Sequence, residues 1–205
     1  MQLSEYLANI PRLHSWDSGE TWNTGGFEAS HLQPLFDFLR TRACRRIVET
    51  GAGNSTLTFL LAEPERVVSI APDPALFERI IAYCDEHGIA HDTLERHVSG
   101  SQWVLPKIAT AAPAEFDFAL VDGAHGWPYV FIDFFYMHAL LRRGGHVMLD
   151  DVQLHSVSEL TRWLKEQTEY SLALDLGKAM IFRKDVDGAE FPEWNRQPYI
   201  IGLSR

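Results

Sequence analysis

The sequence predicts an α/β fold, doubly wound, with a mostly parallel seven-stranded sheet and an antiparallel strand near one edge. Three observations carry this expectation. Apolar runs of strand length alternate with longer segments of helical periodicity, the pattern of strand–helix–strand units. Several helical segments carry start and stop signals at the right places. The last two strand-like runs, in YSLALDLGKAMIFRK (170–184), are separated only by a tight Leu-Gly-Lys turn. So short a link joins antiparallel neighbours, since a parallel pair needs a crossover.

The elements follow in order. RRIVET (45–50) reads as a short buried strand and STLTFLLA (55–62) as the helix after it. RVVSI (66–70) is a strand, and DPALFERIIAYCDEHG (73–88) a helix opened by an Asp cap and closed by a Gly. DTLERHV (92–98) is a strand, and SQWVLPKIA (101–109) a short helix that Pro106 should interrupt. FDFALVD (116–122) is a strand; PYVFIDFFYMHALLRR (128–143) is a helix with Pro in its first turn and Gly144 just past its end. HVMLD (146–150) is a strand and SVSELTRWLKEQT (156–168) an amphipathic helix. Residues 1–44 should hold a glycine-rich loop and one helix, a candidate lid in which Trp16 and Trp22 can close over an aromatic or sugar ligand. Residues 45–184 form the sheet domain, and 185–205 a C-terminal tail.

Composition bounds the function. The chain has 205 residues, 46% of them hydrophobic, enough for a sizeable core. No run of about 18 apolar residues predicts a membrane span, and the N-terminus lacks the basic head and apolar stretch of a secretory signal. Cys44 and Cys84 lie far apart with no CxxC spacing, which suits reduced core thiols in a cytoplasmic protein. A net charge of −10 repels nucleic acid. The short basic clusters at Arg40–Arg46 and Arg142–Arg143 read as solvated helix ends. The expected partner is therefore a small molecule, with neither nucleic acid nor membrane involved.

In such folds ligands sit at the carboxyl ends of the strands. The first loop, IVETGAGNSTL (47–57), is a strand, a glycine loop and a helix start. A dinucleotide fingerprint would place a third glycine where Thr56 stands. Glu49, just before the loop, would repel a pyrophosphate and attract a cationic group. The helix start, capped by Asn54 or Ser55, offers backbone N–H groups to a carboxylate. A ligand with an ammonium, a carboxylate and a positive sulfur suits this set better than NAD, although a plain strand-to-helix turn would use the same glycines.

VETGAGNSTLTFLL, VVSIAPDPALFERI, FDFALVDGAHGWPYVFIDF and LLRRGGHVMLDDV, in that order, resemble the class I S-adenosylmethionine-dependent methyltransferases with their Rossmann-like fold. The nearest likeness is to small-molecule O-methyltransferases of the catechol and macrolide-sugar kind. The resemblance covers about residues 30–184 and implies that 45–184 is the S-adenosylmethionine-binding catalytic domain. It implies that Glu49, Gly51 and Gly53 surround the methionine part of the cofactor, and that Ser101 and Gln102 lie against the adenine; a helix N-cap is the other reading of that last pair. The family's ribose-binding acid after the second strand is replaced here by Ala71. Asp73 can take that role, or it can simply cap the next helix.

Methyl transfer to oxygen needs an acceptor held in line and relieved of its proton. His125, three residues after Asp122, stands where catechol-type enzymes carry a lysine base; an imidazole ordinarily titrates near ~6.5 and suits the task. A helix-capping histidine is the alternative. Those enzymes bind Mg²⁺ with an Asp-Asn pair plus the aspartate matching Asp122. Asp122, Asp150 and Asp151 offer three hard oxygen donors for such an ion, if they converge. Trp127, beside His125, is a candidate pocket wall. The helix over 128–143 is apolar on every side, which suits a central position or a subunit contact in a homo-oligomer.

The reading is thus a methyltransferase acting on a small-molecule hydroxyl, with His125 as base and Mg²⁺ as a candidate helper. Two rivals stay open: an NAD(P)-dependent oxidoreductase, disfavoured by Glu49 and Thr56, and a non-catalytic S-adenosylmethionine-binding protein, motivated by Ala71.

Overall fold

The computed structural model describes residues 1–14 and 29–197; the expected lid loop with Trp16 and Trp22 lies outside them. The chain divides into two compact units, Met1–Ser101 and Gln102–Arg205.

The first unit holds α1 (Leu3–Ala8), α2 (Ala29–Thr41), β1 (Arg46–Thr50), α3 (Asn54–Leu61), β2 (Arg66–Ala71), α4 (Pro74–His87) and β3 (Leu94–Val98). Its strands run parallel in the order β3-β2-β1. Ile47, Val48, Val67 and Val68 are fully buried on consecutive positions, as expected of strands covered on both faces. The register sets Glu49 opposite Ser69. Asp73 caps α4 through a hydrogen bond from the Ala75 N–H at 2.9 Å, and Gly88 closes it in the left-handed region at φ 63°. Helix α1 is too short for its periodicity to stand out; the buried residue it contributes is Tyr6.

The second unit holds α5 (Ser101–Ala111, from its second residue), β4 (Phe116–Val121), α6 (Tyr129–Leu140), β5 (Leu141–Leu149), α7 (His155–Glu166), β6 (Tyr170–Asp175) and β7 (Met180–Lys184). Its strand order is β4-β5-β7-β6. β4 and β5 are parallel, while β7 runs antiparallel to both β5 and β6. Three parallel strands in one unit and four mixed strands in the other give the expected seven-stranded, mostly parallel α/β class. No helix among the described residues is long and apolar enough to cross a membrane.

Two expectations are corrected. Pro106 does not interrupt α5, which runs through it to Ala111. The proline removes one helical N–H, but Leu105 and Ile108 are buried beside it and its carbonyl accepts the Thr110 hydroxyl at 2.8 Å. Packing outweighs the lost bond. Helix α6 stops at Leu140 instead of Arg143, because Leu141 already pairs with Phe116 as the start of β5. Its end is held by the buried Lys184 ammonium, which donates to the carbonyls of His138 (2.7 Å), Leu141 (3.0 Å) and Gly188 (2.5 Å). A cation on the last carbonyls is the favourable partner for a helix C-terminus. Arg142 and Arg143 therefore lie on a strand, paired with Asp117 and Asp187.

Candidate functional site

At the end of β1, Glu49 is fully buried. Its carboxylate accepts hydrogen bonds from the hydroxyls of Ser55 (2.7 Å), Thr56 (2.5 Å) and Ser69. Burial nevertheless dominates these three donors and pushes the Glu49 carboxyl up to about 7. Glu49 thus lies inside the fold, tying the start of α3 to β1 and β2. Thr56 closes the turn by accepting the Gly53 N–H at 3.0 Å. This corrects the capping expectation: Gly53 is the N-cap of α3, and Asn54 and Ser55 are the first helical residues. Asn54 instead faces the N-terminal segment, accepting the Tyr6 hydroxyl at 3.1 Å and reaching the Pro11 carbonyl at 3.4 Å.

The glycine loop adopts backbone conformations that glycine tolerates best. Gly51 and Gly53 have φ of 88° and 155°, a region in which a side chain is strained. A Cβ on Gly53 would stand 3.0 Å from Nε2 of His14, so the bare Cα leaves room for the imidazole packed against it.

After β2, Ala71 is buried and supplies no acid. Asp73 spends one oxygen on the Ala75 N–H and pairs the other with Arg79 Nη2 at 3.1 Å. The helix cap is therefore formed; a ribose would meet a carboxylate already oriented by Arg79. Ser101 and Gln102 are the first residues of α5, half-buried, ahead of the exposed Trp103.

In the second unit, Asp122 and His125 follow the carboxyl end of β4, and Asp150 and Asp151 follow that of β5. The His125 imidazole lies between two carboxylates, with Nε2 3.5 Å from Asp122 Oδ1 and 3.7 Å from Asp151 Oδ2. The Ser156 hydroxyl, on α7, donates to the His125 carbonyl and fixes the turn from below. Asp151 adopts φ 53°, which costs a non-glycine residue about 1–2 kcal/mol; the Val152 N–H bonded to the Lys178 carbonyl at 2.8 Å helps hold it. Burial, then the neighbouring Asp122 and Asp151 charges, push the Asp150 carboxyl up to about 8.

Asp122, Asp150 and Asp151 thus share one electrostatic environment. Among the described residues, however, no three of His, Cys, Asp or Glu converge as a metal-binding group. The set as it stands is a carboxylate–imidazole cluster.

Sequence reasoning passed over Ser69 and Ser156, and read Thr56 only as the residue in place of a third glycine. Ser69 had a readable signal, a hydroxyl inside an otherwise apolar strand in register with the buried acid. Ser156 had none, since its partner is a backbone carbonyl 31 residues away.

A family model described as a methyltransferase domain matches residues 48–152, just over half of the chain. No curated protein sequence matches it. Among solved structures, the O-methyltransferase TomG from Streptomyces achromogenes, involved in tomaymycin synthesis and crystallised with SAM, is similar at TM-score 0.71 and 22% identity, covering 89% of this chain and 90% of that one. The O-methyltransferase from Bacillus cereus, in complex with SAH, gives a TM-score of 0.66 at 15% identity, covering 88% and 96%.

Proposed function

The chain belongs to the methyltransferase family, and we propose that it transfers a methyl group from S-adenosylmethionine to a hydroxyl of a small molecule, with His125 as the base. The observation that carries the proposal is the imidazole held within 3.5 and 3.7 Å of two carboxylates at the ends of β4 and β5. Support comes also from the glycine turn between β1 and α3, and from structural neighbours crystallised with SAM or SAH. An acidic chain of net charge −10 suits a small acceptor better than a nucleic acid.

Bound S-adenosylmethionine supplies a sulfonium methyl for in-line displacement. The chain does the rest. Glu49, Gly51 and Gly53 shape the turn for the methionine part, with Glu49 acting from beneath through Ser55 and Thr56. Asp73 would hold the ribose, and Ser101 and Gln102 the adenine. His125 would take the proton that the acceptor hydroxyl gives up. Asp122 and Asp151 would stabilise the imidazolium so formed. Ser156 keeps the turn in place.

His125→Ala should lower turnover by about 10² or more while leaving cofactor affinity nearly unchanged; unchanged turnover would remove His125 from the reaction. Calorimetric titration with S-adenosylmethionine tests the broader reading, and no binding at millimolar cofactor would sink it. Cofactor binding without transfer to any of a broad acceptor panel would favour the non-catalytic alternative. Nothing in the comparisons favours the NAD(P)-dependent oxidoreductase.

Mg²⁺ assistance is a second reading: burial first, and then the Asp122 and Asp151 charges, raise the Asp150 carboxyl, and a cation at Asp122, Asp150 and Asp151 would relieve the part that is mutual repulsion. Dialysis against a chelator separates the two readings. Turnover that persists belongs to His125 alone; turnover lost and restored by Mg²⁺ supports the ion.

A further inference from the structure

The N-terminal segment is strapped to the start of α3 and to α4 by contacts that all lie in the first unit. The buried Tyr6 hydroxyl is shared between the carbonyl and the side-chain oxygen of Asn54, each 3.1 Å away. Asn54 Nδ2 donates to the Pro11 carbonyl at 3.4 Å. Arg79, on α4, donates through Nε to the Leu13 carbonyl, and the Leu13 side chain is itself buried. These anchors seat His14 on the glycine turn. Its ring atoms Nε2, Cε1 and Cδ2 lie 3.0, 3.7 and 3.9 Å from where a Cβ on Gly53 would stand.

Two places that the methyltransferase reading gives to the cofactor are thus already engaged. The bare face of Gly53 is covered by an imidazole. Asp73 accepts the Ala75 N–H with one oxygen and pairs the other, at 3.1 Å, with Nη2 of the same Arg79 that holds Leu13. A ligand chain lying on Gly53 and the His14 ring cannot fill one volume. The ring, however, is only one residue past its Leu13 anchor. Residues 10–14 belong to no helix or strand, so their seat rests on the Pro11 and Leu13 contacts. A segment held by so few bonds opens locally far more readily than the fold as a whole.

We propose that residues 10–14 form an autoinhibitory strap. Seated, it keeps the His14 imidazole on Gly53 and shuts out the methionine part of S-adenosylmethionine; released, it admits the cofactor. The proposal rests on the methyltransferase reading above and adds a regulation to that site. Cofactor affinity is then scaled by the fraction of chains whose strap is released. Loosening the strap therefore tightens binding, whereas removing a group that contacts the cofactor would weaken it.

The test is calorimetric titration of the full chain with S-adenosylhomocysteine, comparing wild type with His14→Ala, which removes the ring, and Leu13→Ala, which loosens the seat. Both variants should bind roughly fivefold more tightly or better. Trypsin supplies a readout on the unaltered chain, because Arg12 is exposed and the next residue, Leu13, is an anchor. Saturating S-adenosylhomocysteine should speed cleavage after Arg12 by releasing the strap. Unchanged or weaker binding by His14→Ala, or cleavage that ligand leaves unchanged or slows, would overturn the proposal. Equal binding by all three chains strikes the strap alone and leaves the methyltransferase reading standing. No binding by any of them refutes that reading, and the strap falls with it.

Discussion

Substituting the buried acid at the end of β1 should stabilise the protein at alkaline pH and do little at acidic pH. Glu49 ordinarily titrates near 4.5 and is pushed up to about 7 in the fold. Between those values the folded state holds a proton that the unfolded chain has released. The stability from that proton is fully present below 4.5 and is lost as pH rises through 7. A shift of this size corresponds to about 3 kcal/mol. Glu49→Gln keeps the shape and has no proton to lose. At pH 5 its amide stands in for a protonated carboxyl, and the hydroxyls of Ser55, Thr56 and Ser69 can each turn to donate or accept; the variant should match wild type within about 1 kcal/mol. By pH 8 it should be ahead by roughly 2–3 kcal/mol, or about 4–12 °C in Tm for a chain of this length. Urea unfolding followed by tryptophan fluorescence at pH 5, 6, 7 and 8 measures the gap. A variant destabilised equally at every pH would refute the reasoning: the three hydroxyls would then compensate burial fully, and Glu49 would be ionised throughout.

The opposite sign is expected at His138. Burial first, then the Lys184 charge, lowers its imidazole from 6.5 to about 3, so its contribution is fully present above pH 6.5 and is lost as pH falls through 3. His138→Phe has no such titration, and the stability gap between wild type and variant should narrow by about 1.4 kcal/mol per pH unit between pH 6 and 4 in urea melts; a constant gap would show that the ring is not held neutral. Ser156→Ala removes the hydroxyl that fixes the His125 turn and should lower kcat by roughly tenfold with cofactor Kd unchanged, which steady-state kinetics and calorimetry check together.

The sequence made the sheet legible because each buried strand carries its own signal. Ile47–Val48 and Val67–Val68 are apolar on consecutive positions, and the Leu-Gly-Lys turn forces β6 and β7 to be antiparallel. Boundaries set by tertiary contacts were not legible. Nothing local in LLRRGG says that the helix ends at Leu140; the end is decided by Lys184, more than forty residues away. The candidate site divides the same way. Asp122, His125, Asp150 and Asp151 were readable as polar residues at strand ends. That Glu49 faces inward was not, because burial depends on the hydroxyls of Ser55, Thr56 and Ser69 meeting it from three directions.

The place of β7 has a consequence for biosynthesis. It is the seventh strand in the chain, yet in the sheet it sits between β5 and β6. A nascent chain therefore carries β5 with one side unpaired, and β6 with no neighbour in its own unit, until residues 180–184 have left the ribosome. Unpaired strand edges are templates for pairing with other chains. The first unit, whose three strands pair in sequence order, can close while synthesis continues. The second closes only when β7 inserts, and the Lys184 at its end then locks α6 in the same step. The interval before that insertion, at translation speed, is when this chain is most exposed to aggregation and most dependent on chaperones.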